Sequence, residues 1–337
     1  MRWRRFVSVL KARDREFFRD RSALAWNILF PLLVIMGFAF AFTGDKLNSY
    51  KVGVIGPLDG SPLAFFSVRY MQFIEIGEGA DKKRQAIEKV RRHQLDILLD
   101  VRGRQYWVNG RSPSGYLLEK VLAGSGGADY QKRQVEGQQI RYVDWLIPGI
   151  LGMNMMFSAL FGVGYVVVRY RKNGVLKRLK ATPLSALEFL LAQIVSRLWL
   201  IMSITTVVYA GCQWLIGFSM EGSYLNLLLV FTLGAFALVS MGLVVAARVK
   251  SEEMAGGLLN MLSWPMMFLS GVWFSLEGLQ PWMQKLALMF PLTHITHAAR
   301  VIMIDGAGLS AIWPNLVSLL VMSIVFTFLG VRLFRWE

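Results

Sequence analysis

Long uncharged apolar stretches are the feature that most constrains this chain. An α-helix needs about 20 apolar residues to cross a hydrocarbon core roughly 30 Å thick. Lipid cannot satisfy free backbone polar groups, so each stretch of this length is expected to be a transmembrane helix. Six stretches qualify, and they are Ser22–Gly44, Trp145–Val168, Leu198–Met220, Gly222–Ala247, Met254–Leu276 and Gly306–Val331.

The basic residues of the chain cluster beside these stretches. A formal charge of +15 over 337 residues would by itself suggest nucleic-acid binding. However, residues 1–21 hold eight basic and three acidic residues, and residues 169–180 hold six basic and no acidic ones. Short cytoplasmic loops of membrane proteins carry such an excess. The pattern therefore predicts that both termini are cytoplasmic, and it argues against a nucleic-acid partner.

The N-terminal 21 residues have the pattern of an amphipathic helix. Its apolar positions recur at helical spacing, and Lys11, Arg15 and Arg19 line another face. A basic helix with aromatic anchors is typical of the membrane interface, where it contacts lipids. Packing against the rest of the chain is the alternative. The apolar positions are Trp3, Phe6, Val7, Leu10 and Phe17.

Segment 45–144 differs from its surroundings because it is polar, with sixteen basic and twelve acidic residues. Long segments are translocated across membranes regardless of their charge. Strand-like runs begin at Lys51, Asp96 and Gln105, and Asp81–Arg92 has the composition of a helix. These runs predict a small folded α/β domain on the outer face.

The sequence thus predicts a mainly α, polytopic membrane protein. It has six transmembrane helices and a small α/β extracytoplasmic domain between the first and second spans. In order, residues 1–21 form the interfacial helix, 22–44 the first span, 45–144 the outer domain and 145–337 a five-span membrane domain.

The loop after the second predicted span has a helix–stop–helix pattern. Asn173-Gly174 breaks the incoming helix, and Pro183 ends a short basic helix. Ser185 and Glu188 have the spacing of a capping box that starts the next helix. Leu176 and Leu179 give the short helix an apolar edge, which favours a groove on a partner. A basic anchor for the bilayer is the alternative.

Two groups of residues resemble the permeases of the type-2 ABC export family. In the loop they are Gly174, Leu176, Leu179, Thr182-Pro183-Leu184-Ser185 and Glu188. Near the C-terminus they are Ser270-Gly271, Phe274, Leu276-Glu277, Leu279, Pro281-Trp282, Pro291-Leu292-Thr293-His294 and Arg300. The span count and the outer segment after the first span fit the same family.

This resemblance implies a dimer of permeases, of one kind or two, on two cytoplasmic ATPase subunits in the bacterial cytoplasmic (inner) membrane. Residues of about 173–182 would be the coupling helix, residues 1–21 the elbow helix and residues of about 277–305 an outer re-entrant hairpin. The chain has no Gly-x-x-x-x-Gly-Lys-[Ser/Thr] loop. It is therefore expected not to be an enzyme and to hold no cofactor, with ATP and Mg on the partner. Use of a periplasmic adaptor is left open.

Uncharged polar residues in the second and fifth predicted spans are candidates for the substrate pathway, because the family lines its pathway with those spans. Ordinary hydrogen bonding between helices is the alternative. Such a pathway favours export of an amphipathic or lipid-like substrate, such as a drug, lipid or natural product. Export of a polysaccharide or glycoconjugate is the alternative. The candidates are Asn154, Ser158, Asn260 and Ser263.

Other function classes fit less well. A proton-coupled transporter would carry Asp, Glu or His inside its spans, and the six stretches contain none. A membrane enzyme needs clustered catalytic groups, and the sequence shows no such cluster. A sensor needs a cytoplasmic output domain, and the predicted cytoplasmic segments are all short. Arg197 is expected to snorkel at the cytoplasmic end of the third span. His294 and His297 lack a nearby third ligand for a metal, and Met153, Met155 and Met156 are interpreted as packing, not copper ligands.

Overall fold

The computed structural model describes residues 3–41, 50–56, 63–77, 79–137, 141–218, 220–276 and 279–336. The chain divides into two compact units. The membrane unit comprises Met1–Phe42 and Tyr142–Glu337, and the sheet unit comprises Thr43–Arg141.

Two helices open the membrane unit. Helix α1, Trp3–Arg19, carries Phe6 and Phe17 on its buried side, as its amphipathic pattern predicts. Helix α2, Arg21–Ala41, begins where the Asp20 carboxylate accepts the Ala23 N–H at 3.0 Å, which satisfies one of the free amides of the first turn. Most side chains of α2 are apolar and only partly covered by the rest of the unit, as expected of a helix facing lipid.

The sheet unit contains a five-stranded sheet with a helix on each face. The order is β2-β1-β3-β4-β5; only the β3–β4 pair is antiparallel. Both faces of β3 are buried, since helices α3 and α4 each cover an apolar cluster. The three strand-like runs and the first helix lie where the sequence predicts them. The elements are β1 Tyr50–Ile55, a 3-10 turn Ala64–Ser67, β2 Met71–Ile76, α3 Ala80–Arg91, β3 Ile97–Asp100, β4 Gln105–Asn109, α4 Pro113–Leu122 and β5 Gln131–Val135.

The remaining helices complete the membrane unit around α5, which is almost wholly buried. Its path continues through a π-helical segment into α6, and α13 packs along α9. The elements are α5 Tyr142–Ala159, the π segment Leu160–Tyr165, α6 Val166–Lys172, α7 Val175–Lys180, α8 Ala186–Ile216, α9 Tyr224–Ala246, α10 Glu252–Leu269, α11 Pro281–Ala287, α12 Pro291–Asp305 and α13 Leu309–Leu333.

Within the described ranges, five helical stretches are long and apolar enough to cross a membrane, so the chain is a mostly helical, multi-pass membrane protein. The fifth predicted span is not among them. Helix α10 has only 18 residues and begins with Glu252 and Glu253, and these charges lower its apolar character. A sixth crossing exists if α11 and α12, bent by 94°, form one broken span. The five are Arg21–Phe40, Tyr142–Lys172, Ala186–Ile216, Tyr224–Ala246 and Leu309–Leu333.

Candidate functional site

The loop between α6 and α8 has the predicted helix–stop–helix geometry. Gly174 has a φ of +68°, a left-handed conformation that glycine adopts without strain, and it turns the chain into α7. After α7, the Thr182 hydroxyl donates to the Leu179 carbonyl at 2.6 Å. The capping box of α8 is confirmed: the Ser185 N–H donates to the Glu188 carboxylate, and the Glu188 N–H donates to the Ser185 hydroxyl, each at 3.1 Å.

The apolar side of α7 packs on the chain itself. Leu176 is 0% exposed within the main core of the membrane unit, and Leu179 packs partly buried against the same core. The prediction that both leucines offer an exposed edge to a partner is therefore wrong for Leu176. Burial of this leucine removes apolar area from water and fixes α7 in place. The surface left accessible on α7 itself is basic, with Lys177, Arg178 and Lys180, and it continues into the exposed Ala181, Thr182 and Pro183.

Arg171, in the last turn of α6, holds three segments together. Its Nη1 donates to the Ala246 carbonyl at 2.9 Å and also to the Val249 carbonyl. Its Nη2 donates to the carbonyls of Ala247 at 3.1 Å and Arg335 at 2.7 Å. The carbonyls at a helix C-terminus lack intrahelical partners and carry negative partial charge. The guanidinium thus joins α6 to the end of α9 and to the segment after α13.

Lys172, the next residue, pairs with the start of α10. Its Nζ lies 3.3 Å from the Glu252 carboxylate, which also accepts a 2.6 Å hydrogen bond from the Tyr165 hydroxyl. The hydrogen bond from Tyr165, together with the ammonium of Lys172, lowers the pKa of Glu252. Glu252 therefore stays ionised and keeps α10 beside α6.

Helix α1 is tied to α6 by a charged cluster. Arg13 donates to the Gly162 carbonyl at 2.6 Å and to Glu16 at 3.0 Å, and Arg169 donates to Glu16 at 2.8 Å. Burial raises the pKa of Glu16, but a hydrogen bond from Tyr170 and the two guanidinium groups outweigh that effect, so the pKa is lowered. The alternative that α1 packs on its own chain is thus confirmed. Its position at a membrane interface stays a prediction.

A cavity of about 430 Å³ lies between α2, α5 and α8. It brings together Asn154 and Ser158, two of the four predicted pathway residues. The other two, Asn260 and Ser263, lie on α10 and do not line it; the Ser263 hydroxyl donates to the Asn260 carbonyl at 3.3 Å. The lining is Trp26, Asn27, Phe30, Asn154, Phe157, Ser158, Phe161, Gly162 and Arg197.

Arg197 also lines this cavity, a position that the sequence does not predict. It is 5% exposed; its Nε donates to the Ser158 carbonyl at 2.8 Å and its Nη2 to the Ser158 hydroxyl at 2.9 Å. The prediction that it snorkels is wrong, because α8 begins at Ala186, about three turns earlier. A Cβ at Gly162 would overlap the guanidinium in its present position, so a larger residue there would require Arg197 to move. A charged residue with apolar sequence on both sides was the available signal.

The predicted outer hairpin corresponds to α11 and α12. Pro281 and Pro291 occupy the first turns of these helices, where a missing N–H costs no hydrogen bond. The Thr293 hydroxyl donates to the Ala287 carbonyl at 2.6 Å and lies 3.0 Å from the Ser270 hydroxyl, from which it can accept, so it fixes the bend against the end of α10. Glu277, the fourth predicted hairpin residue, lies outside the described residues.

The two histidines of α12 share one partner on α13. The Nδ1 atoms of His294 and His297 each lie 3.2 Å from the side-chain amide of Asn315, one at Oδ1 and the other at Nδ2. Nε2 of His294 lies 2.9 Å from the Leu288 carbonyl. These side chains therefore hold the hairpin to the last helix.

The membrane unit thus has a buried multi-helix core, a short basic helix between two membrane-spanning stretches, and a bent helix pair. A family model described as "ABC-2 type transporter" matches residues 115–304, more than half of the chain. The chain belongs to this family and is an ABC-2 permease.

Three curated relatives illustrate the similarity. The inner membrane transport permease YhhJ of Escherichia coli (strain K12) is 26% identical over 188 residues, which are 54% of this chain and 49% of the relative. The probable multidrug ABC transporter permease YbhR of the same organism is 24% identical over 182 residues, 54% and 50% of the two chains. ABC transporter G family member 20 of Dictyostelium discoideum is 25% identical over 341 residues, which cover 90% of this chain and 46% of the relative. The matches thus span about half the length of these relatives.

Proposed function

We propose that this chain is the transmembrane permease subunit of an ATP-driven exporter. It moves an amphipathic or lipid-like substrate outward by alternating access, and a separate subunit hydrolyses the ATP. The observation that carries the proposal is helix α7. It lies within the region matched to the family, between two membrane-spanning stretches, and is anchored by Leu176 with its basic residues exposed.

Helix α7 is the coupling helix in this proposal. Two cytoplasmic ATPase subunits bind a permease dimer, which is formed by two copies of this chain or by this chain and a paralogue. ATP and Mg bind to the ATPase, and the permease itself needs no cofactor. Gly174, Thr182, Pro183 and Glu188 shape the coupling loop, and Leu176 and Leu179 fix α7 from beneath. One relative is named as a probable multidrug permease, which supports a transported drug-like molecule.

The proposed topology follows from charge. The basic residues of α1 and of residues 169–180 face the cytoplasm, together with both termini. Residues 45–144, which include the five-stranded sheet, then form an extracytoplasmic α/β domain, and residues of about 277–305 form the outer hairpin. Asn154 and Ser158 lie on the substrate pathway, and Asn260 and Ser263 join it from α10.

The test reverses the charge of the exposed face of α7. In this proposal the basic face of α7 contacts an acidic surface of the ATPase. We expect the triple variant Lys177→Glu, Arg178→Glu, Lys180→Glu to insert normally, while recovery of the ATPase on the affinity-tagged permease falls about tenfold or more, because like charges would then meet across the interface. Single Lys177→Ala or Lys180→Ala variants should lose little, since one exposed ion pair contributes only about 0–1 kcal/mol.

The matched control reverses three exposed cations of α3, with Lys82→Glu, Arg84→Glu and Lys89→Glu. It should retain the ATPase. Equal recovery of the ATPase with both triple variants would show that α7 is only a basic membrane anchor.

A further inference from the structure

The cavity beside Arg197 contains an unneutralised buried charge. Arg197 hydrogen bonds only to the carbonyl and hydroxyl of Ser158, which are neutral acceptors. No partner of Nη1 and no carboxylate within ion-pairing distance is found in the described part of the chain. The nearby cation Arg13 is already paired with Glu16. Because a desolvated cation without a counter-charge is strongly unfavourable, this guanidinium favours an anion in the space beside it.

We propose that this cavity binds the acidic group of an amphiphile, a carboxylate or a phosphate joined to an apolar body. The inference rests on the proposed function, because it narrows the class of the transported substrate to acidic amphiphiles. A guanidinium presents parallel N–H donors that match the paired oxygens of a carboxylate or phosphate. In Arg197, Nε and Nη2 are engaged by Ser158, and Nη1 remains available to donate charge-assisted hydrogen bonds to such an oxygen.

The polar residues around Arg197 extend the same site. Asn154 lines the cavity beside Ser158, and its Nδ2 reaches the Asn27 carbonyl only at 3.3 Å. The Asn27 amide donates to the Ala23 carbonyl at 2.7 Å. An amide group has two N–H donors, so Asn154 can supply a donor to a second oxygen of the ligand. Gly162 leaves the room that the guanidinium occupies.

Four aromatic side chains line the cavity, which favours a ligand with an apolar body over a small free anion. Phe157 and Phe161 lie with ring centroids 6.1 Å apart, and Trp26 and Phe30 with centroids 5.9 Å apart. The side chain of Trp26 is 63% exposed on α2. A volume of 430 Å³ holds a head group and the first part of a chain, and the rest of the chain can leave over the apolar face of α2 into lipid.

The test measures binding of dibromostearic acid and of its methyl ester to the permease in phosphatidylcholine nanodiscs, by quenching of tryptophan fluorescence at pH 9, where the free carboxyl is ionised. We expect the wild type to bind the acid at least about tenfold more tightly than the ester. Arg197→Gln should bind both equally, and Arg197→Lys should keep part of the preference. Arg332→Gln, which removes an exposed cation of α13 outside the cavity, should behave as the wild type.

Equal affinity of the wild type for acid and ester would overturn the proposal, as would an undiminished acid preference in Arg197→Gln. If Arg197→Gln fails to fold, the wild-type comparison still decides. Trp26→Phe then checks the location, because it should lose much of the quenching by the acid; unchanged quenching would place the ligand elsewhere and overturn the site.

A second arm separates a transported acid from a resident acidic lipid. In the complex with its ATPase, stimulation of ATP hydrolysis by the acid, and not by the ester, supports the substrate class. Acid binding without stimulation, together with competition by phosphatidylglycerol in the nanodisc, would overturn the substrate assignment and leave a lipid site. Absence of an associated ATPase would instead contradict the proposed function, while the acid preference of the permease alone would stand.

Discussion

At the scale of single residues, two arginines have opposite environments. Arg171 meets carbonyls at the end of α9 and at Arg335, so its charge is matched by partial negative charge from the backbone. Arg197 hydrogen bonds only to Ser158, lies over the ring of Phe17 with Cζ 5.3 Å from the ring centroid, and borders a cavity. The first arrangement is suited to holding segments together, and the second is suited to receiving a ligand.

Replacing Arg171 with alanine should destabilise the membrane unit. Each hydrogen bond to a charged group contributes about 1.5–3 kcal/mol, so a loss of at least that size is expected in the free energy of unfolding. Arg171→Lys should recover only part, since an ammonium cannot span four carbonyls with a planar fork. Thermal unfolding in detergent measures the change. Arg178→Ala on α7 is the control. An equal loss of stability in this variant would contradict the role of Arg171 in holding the three segments together.

At the scale of elements, α7 is a helix of six residues, too short to be stable by itself. It persists because the side chain of its own Leu176 is buried in the core of the membrane unit. The left-handed Gly174 and the Thr182 hydroxyl define the two ends of the helix. The helix is therefore already formed and held in place, as the proposed coupling role requires.

Leu176→Ala should cost about 2–5 kcal/mol of stability, as expected for a buried leucine replaced by alanine. Leu179→Ala should cost less, because this side chain is only partly buried. The matched control is Leu187→Ala in the first turn of α8, a leucine that is 50% exposed. Thermal melts of the three purified variants give the order. If the Leu176→Ala variant had the same melting temperature as the Leu187→Ala variant, Leu176 would not be the anchor of α7.

At the scale of the whole molecule, one membrane unit carries the basic loop, the charged cluster of α1 and the cavity. The sheet unit is a separate unit whose residues lie between α2 and α5 in the sequence. The side of the membrane on which each lies is a prediction from charge. The chain has a single cysteine, Cys212, which is buried. Cysteines introduced at exposed positions can therefore report on which side of the membrane each position lies.

A cysteine at Lys89 of α3 should react with a membrane-impermeant thiol reagent in intact spheroplasts. A cysteine at Lys177 of α7 should react only after the membrane is permeabilised. Both positions are exposed, so accessibility within the fold does not limit the reaction. The wild type, with Cys212 alone, measures the background. The reverse labelling pattern would contradict the topology.

The sequence by itself determined the features that depend on neighbouring residues. The apolar stretches predict most of the long helices because crossing a hydrocarbon core requires length and low charge. The break at Asn173-Gly174, the stop at Pro183 and the capping box of Ser185 and Glu188 follow from local backbone chemistry, and the structure has all of them. Helix α10 is the exception: the sequence predicts a membrane span there, but the helix is short and its two glutamates lower its mean hydropathy.

Only the tertiary structure decided which side chains are buried and which groups meet. Leu176 looks like the exposed edge of a surface helix until the core beneath α7 is known. Arg171 bonds to carbonyls 75 to 164 residues away, and Arg197 reaches Ser158 across 39 residues of sequence. Burial depends on what packs against a surface, and packing joins segments that the sequence keeps apart. For that reason periodicity and capping patterns give the helices, while the cavity and its charge emerge only from the assembled fold.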